Sequence, residues 1–205
     1  DVSVEQLRQI FTQGASLQER IRSFVRERIA LVTQDFDGPV PYDESHSIAM
    51  IHFIPFGALE GSTSIPINKD TQKQLYDISQ PFGHWTSASH SFNADGLLWS
   101  YAELDYKKHA GYTQVFRNGI LEAASSTFVE DNKEQRFLAA GLLETKIEKW
   151  FFNSMKVFHQ LEIEGPFEFV VSIQNARALQ LRADRDYDFD LRHPIGRDLL
   201  ILPGI

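Results

Sequence analysis

The sequence contains no cysteine and only two methionines among its 205 residues. A disulfide framework, a Cys-rich zinc site and a thiol nucleophile are thereby excluded, and a reducing cytoplasm is the expected compartment. Nowhere do about 18 apolar residues run together, as a spanning helix requires. The opening residues, DVSVEQLRQI, are neither basic nor followed by an apolar stretch, so they do not make an intact signal peptide. No membrane association is expected. The chain begins at Asp1 rather than Met and enters a helical pattern at once, as a segment of a longer protein would; a processed chain would read the same.

Several motifs are also missing. Without GxxxxGKS/T or GxGxxG the chain has no Walker-type or Rossmann phosphate cradle; without HExxH or an Asp-rich loop it has no recognisable metal site; without GxSxG it has no nucleophile elbow. No cofactor is expected. Positive charge is scarce as well: the net charge is −8 and the pI near 5.3, so the chain as a whole repels a phosphate backbone. The best local exception is Arg20, Arg22, Arg26 and Arg28, interleaved with Leu17, Ile21, Phe24 and Ile29 on one helix. That pattern reads first as a solvated face opposite a buried one.

What is present points to an α+β fold. Ser3-Val4-Glu5-Gln6 and Ser16-Leu17-Gln18-Glu19 both fit the capping box, which predicts two helices, one ending at Gly14 and one carrying its apolar stripe to Val32. His46 to Phe56 is apolar on both alternating sets, the mark of a strand covered on both faces, and Pro55 ends it. Gly57 to Ile67 reads as loop, and Asn68 caps a weak helix reaching Ser79. From Trp85 to Phe128 the period is two and turns recur, predicting a four-stranded meander.

In that meander, Asn93-Ala94-Asp95-Gly96 closes one hairpin and Asn118-Gly119 another. If the second is a two-residue type I′ turn, Val115 faces Glu122, and Arg117 pairs with Glu122 diagonally across one face. Asp131 to about Leu161 reads as one long helix. A strand at Phe167 to Gln174, a partner at Ala178 to Arg182 and a short last strand at Leu199 to Leu202 follow. With no repeat or linker in sight, residues 1–205 are expected to form one domain, an antiparallel meander sheet packed against a long helix and N-terminal helices.

The chemistry-bearing residues admit structural and functional readings. His84 and His90 flank a Ser-rich strand at a spacing that is weak for a metal. His52, inside the apolar strand, is either a satisfied core histidine or a catalytic base. Asp95, Glu103, Asp105 and Glu122 lie on or beside the meander and supply the residue types for acid/base or metal work, whereas the turn explains Asp95 and Arg117 explains Glu122. Trp85, Trp99, Tyr101, Tyr106 and Tyr112 either line a ligand pocket or pack as good strand residues do.

Three passages in order, Glu19-Arg20-Ile21-Arg22-Ser23-Phe24-Val25-Arg26-Glu27-Arg28, Ile51-His52-Phe53-Ile54-Pro55 and Tyr112-Thr113-Gln114-Val115-Phe116-Arg117-Asn118-Gly119-Ile120-Leu121-Glu122, resemble the C-terminal region of bacterial proteins whose N-terminal half is a Schlafen-type AlbA domain. The "YxQxFRNGxxE" passage is the most specific of them. The resemblance implies that DNA or ATP binding belongs to a domain upstream, absent from this chain, and that this portion is an accessory part used in sensing, scaffolding or oligomerisation. A protein partner or self-association is expected, and nucleic acid only through the missing N-terminal domain. The family supplies no catalytic residues here; Arg20, Arg22, Arg26, Arg28, His52, Trp99, Tyr112, Arg117 and Glu122 are candidate contact or motif positions. The competing expectation is a hydrolase or nuclease using His52, Asp95, Glu103 and Glu122.

Overall fold

The computed structural model describes residues 3–33, 38–42, 45–78, 82, 88–102, 110–132, 135–182 and 194–202. The fold is α+β. Helix α1 (Val4–Thr33) is followed by strand β1 (Ile48–Pro55), the short helices α2 (Phe56–Glu60) and α3 (Lys69–Gln74), and a 3-10 turn at Leu75–Ile78. Strands β2 (Ser89–Phe92), β3 (Gly96–Ala102), β4 (Ala110–Phe116) and β5 (Leu121–Ser125) form the meander. Strands β6 (Val129–Asn132) and β7 (Gln135–Ala139), helix α4 (Ala140–Gln160), and strands β8 (Phe167–Gln174), β9 (Leu179–Arg182) and β10 (Leu200–Ile201) complete the order. Seven strands pair as β10-β8-β1-β5-β4-β3-β2, all antiparallel, and β6-β7-β9 make a second sheet.

Strand β1 lies inside the large sheet between β8 and β5, and all eight of its residues are buried. This is the doubly covered strand its two apolar sets demand. Its alternation sorts the core. Ile48, Met50 and Ile54 join Leu98, Tyr112, Ala124 and Val170 beneath the α1 stripe of Ile21, Val25, Ile29 and Val32. Ala49, Ile51 and Phe53 join Leu97, Trp99, Leu121, Ala123, Phe169 and Val171 on the opposite face, against Leu143, Trp150, Val157 and Phe158 of α4. The large sheet is therefore sandwiched between α1 and α4. The Asn68 cap is in place, its side-chain oxygen accepting from the amides of Asp70 and Thr71, and β10 stands where the last strand is expected. No helix among the described residues is long and apolar enough to cross a membrane.

Four local expectations are corrected. The two N-terminal helices are one: α1 runs through Gly14, whose Cβ position meets open space. A helical glycine costs only about 1 kcal/mol, too little to stop a helix. The predicted long helix begins instead at Ala140, because Val129–Asn132 and Gln135–Ala139 form an antiparallel pair. Strand β9 pairs parallel with β7, not with β8. Part of the expected loop after Pro55 is the helix α2. Trp85, Glu103, Asp105, Tyr106 and His84 lie outside the described residues.

Candidate functional site

The alternation of β1 and β5 places His52 and Glu122 on the face covered by α1, and the strand pairing sets them directly opposite each other. Glu122 is fully buried, and a buried carboxylate needs partners for its lone pairs or it neutralises. It has four. Arg28 of α1 donates from Nε to Oε2 and from Nη2 to Oε1, each at 2.7 Å. The Tyr112 hydroxyl, from β4, donates to Oε1 at 2.7 Å, and Nε2 of His52 lies 3.2 Å from Oε2. Because a carboxylate only accepts, His52 Nε2 carries the hydrogen of that contact. Nδ1 of His52 is buried with no partner among the described residues.

Aromatic rings close the site. The Phe24 ring stands edge-on to His52 at 6.1 Å and to Phe116 at 6.0 Å, and the Arg28 guanidinium sits 5.0 Å from the Phe116 centroid. The Arg28 side chain is 13% exposed; those of His52 and Glu122 have no exposure at all. Beside Glu122, its β4 neighbour Gln114 exchanges amide hydrogen bonds with Asn93 at 2.9 and 3.4 Å.

The electrostatics follow from this enclosure. Burial alone would raise the Glu122 carboxyl, but the hydrogen bonds from Arg28 and His52 outweigh it and hold the group at about 2. For Arg28 burial favours the neutral form, and the bond to Glu122 reverses this and raises it above its ordinary value. The phenols of Tyr112 and Tyr42 are both raised, first by burial and then by the charge of Glu122. The resulting centre is a charge-balanced, fully bonded carboxylate with no open coordination position. Among the described residues no three His, Asp or Glu side chains gather as metal ligands would.

Arg117 does not pair with Glu122. The turn carries one more residue than the type I′ reading allows: Phe116 carbonyl accepts from Gly119, Phe116 amide donates to Ile120, and only Gly119 has positive φ, +88°. This is the three-residue loop with a glycine bulge. Glu122 consequently faces Gln114 rather than Val115, and the exposed Arg117 donates instead from Nε to the Ala94 carbonyl at 3.1 Å.

Comparison with protein-family models, with curated proteins and with solved structures gave no match. The remaining sequence candidates are therefore placed by geometry alone. Arg20, Arg22 and Arg26 are exposed on α1, whereas Arg28 is committed to Glu122. At about 100° per residue, Arg22 and Arg26 share a side, Arg20 points elsewhere, and the exposed Glu19 and Glu27 interrupt them. Trp99 is buried on the α4 face of the sheet, away from Tyr112 on the α1 face. Asp95 is exposed in the β2–β3 turn, its carbonyl accepting from the Arg117 amide, and His90 is exposed on β2.

The sequence links His52 with Glu122 only in the hydrolase or nuclease reading; their association with Arg28 and Tyr112 is not legible in it. The available signals were a histidine and a glutamate each set singly in an apolar run, Ile48–Ile54 and Ile120–Ala124, and an arginine one turn from the half-buried Phe24.

Proposed function

We propose that this chain is a non-catalytic accessory module, used for sensing, scaffolding or oligomerisation, of a bacterial Schlafen-type AlbA protein acting in transcription control or phage defence in the cytoplasm. The observation that supports this reading is the state of the Glu122 carboxylate. It is the one group placed opposite the strand histidine, and its oxygens are already taken by Arg28, Tyr112 and His52 within a sealed layer. A general base or metal ligand needs an accessible lone pair and a substrate within hydrogen-bond reach. A carboxylate held at about 2 beneath a helix is suited to fastening that helix. The hydrolase or nuclease reading needs His52, Asp95, Glu103 and Glu122 in one pocket. His52 and Glu122 do meet, but in a closed core, while Asp95 sits in an exposed turn.

Nucleic-acid contact then belongs to the partner domain upstream. The interruption of Arg20, Arg22 and Arg26 by Glu19 and Glu27, together with the net charge of −8, supports that assignment. The test is fluorescence anisotropy of labelled single- and double-stranded DNA and RNA at low and moderate salt, with the chain and with an Arg20→Gln/Arg22→Gln/Arg26→Gln variant that retains Arg28. The reading expects no salt-sensitive binding by either. Binding that is present in the parent and lost in the variant contradicts it.

A further inference from the structure

Apart from the Glu122 centre, the described residues line a cleft with a buried, unpartnered polar group in its wall. It measures about 650 Å³, within the range of small-molecule sites, and opens where α1 passes over the β1/β8 end of the sheet. Arg26 and Ile29 come from α1, His46 from the segment before β1, Ile48 from the start of β1, Gln174 from the end of β8, and Asp198 and Leu199 from the segment leading into β10. Gln174 is the register partner of Ile48 and is only 8% exposed; its Nε2 amide is buried with no hydrogen-bond partner among the described residues. A buried amide donor left without an acceptor costs on the order of 1–3 kcal/mol, so an acceptor brought into the cleft would offset that cost.

The charge and shape of the walls narrow what that acceptor is. Arg26, exposed beside the cleft, has no ion pair among the described residues. Asp198, by contrast, has Arg177 Nε 3.8 Å from its carboxylate, so it is already countered. Arg26 and the Gln174 amide are thus both donors, one of them cationic, and Ile29, Ala30, Ile48 and Leu199 give an aliphatic stretch of wall beside the polar Thr33, His46 and Asn175. A single free positive charge next to a carboxylate suits a monoanion and disfavours a phosphate dianion. We infer that this cleft is a binding site for a small monocarboxylate with an aliphatic tail, the carboxylate taken by Arg26 and the Gln174 amide and the tail lying on Ile29, Ile48 and Leu199. The site stands independently of the accessory-module reading.

The test is titration of the ¹⁵N-labelled chain with hexanoate, read at the Gln174 side-chain amide and at the backbone amides of Ile48 and Leu199. Hexylammonium and inorganic phosphate serve as controls for charge sign and for the tail. Saturable shifts at these three positions are expected with hexanoate, and neither control should match it. Arg26→Met, an exposed substitution that leaves the fold intact, should weaken hexanoate by about 10- to 100-fold, the loss of one charge-assisted hydrogen bond. Gln174→Leu should weaken it as well. The absence of saturable shifts, equal affinity in Arg26→Met, or phosphate or hexylammonium binding as tightly as hexanoate would each overturn the assignment.

Discussion

Arg28 and Glu122 stand 94 residues apart in the chain and meet in a two-pronged ion pair, Nε to Oε2 and Nη2 to Oε1, both 2.7 Å. The pair joins α1 to β5 through the middle of an otherwise apolar layer. Its geometry is the bidentate one that compensates best for taking two charges out of water. Tyr112 and His52 fill the remaining acceptor positions. The centre thus specifies where α1 lies on the sheet, which apolar stripes alone leave free to slide.

Acid should release that fastening. The Glu122 carboxyl is at about 2 in the folded chain against 4.5 for an unperturbed group. A depressed folded value contributes stability that is fully present above about 4.5 and is lost as pH falls toward 2. The contribution is on the order of 3 kcal/mol. Urea denaturation of the parent and of Glu122→Gln should show a gap at pH 7 that narrows steadily between pH 4.5 and 2. A gap that is constant with pH would place the carboxylate's value outside this account.

The Tyr112 hydroxyl is a separate part of the centre. Tyr112→Phe keeps the ring in its fully buried position and removes only the bond to Oε1. The expected cost is about 1.5–3 kcal/mol, as for a hydrogen bond to a charged group. Chemical denaturation measures it directly, and a change below about 0.5 kcal/mol, the size of an ordinary surface substitution, would show that the hydroxyl contributes nothing there.

Gly119 sets the register that brings Glu122 inward, and its substitution should be felt twice. Its φ of +88° is strained for any other residue, and an added Cβ would lie 2.9 Å from Thr63 Cγ2. Gly61, at φ +77°, carries the same backbone demand with nothing within 4 Å. Gly61→Ala should cost about 1–2 kcal/mol, and Gly119→Ala measurably more. Thermal unfolding of the two variants side by side checks the order; the reverse order would remove the steric part of the argument.

The exposed arginines of α1 should behave unlike the fourth. Arg20→Gln/Arg22→Gln/Arg26→Gln is expected to change stability by no more than about 0.5 kcal/mol per site. Arg28→Gln alone should exceed all three together, since it leaves Glu122 buried without its counter-charge. Denaturation midpoints decide this. A triple variant as damaging as Arg28→Gln would mean that the helix is held by its outer charges.

The sequence made some of this legible and hid the rest for physical reasons. The two apolar sets of Ile48–Ile54 announced an interior strand, the Asn68 side chain announced a cap, and Asn93–Gly96 announced a hairpin, because each signal is carried by neighbouring residues. Gly14 was misleading because a breaker that meets open space costs too little to break anything. Phe137 and Leu138 were misleading because a short apolar run fits helix and strand alike, and pairing with Val129 and Glu130 decided for strand. Asn118-Gly119 correctly marked a turn, but one additional loop residue reversed the faces and exchanged the partner of Glu122 from Arg117 to Arg28. That partner lies on a helix 94 residues away, and no local pattern carries such a distance.

The central claim is that the Arg28–Glu122 centre fastens the fold and is not a reaction centre, and a double-mutant cycle on Arg28→Met and Glu122→Gln tests it most directly. Groups kept for chemistry or binding are commonly held at a cost, so replacing them leaves stability unchanged or raises it. Groups kept as a buried pair behave oppositely: each single substitution should cost about 3–5 kcal/mol, and the double variant should lose much less than the sum. Urea denaturation at pH 7 should give that pattern. A neutral or stabilising Glu122→Gln, with no coupling to Arg28→Met, would contradict the account and return His52 and Glu122 to candidacy as a catalytic pair.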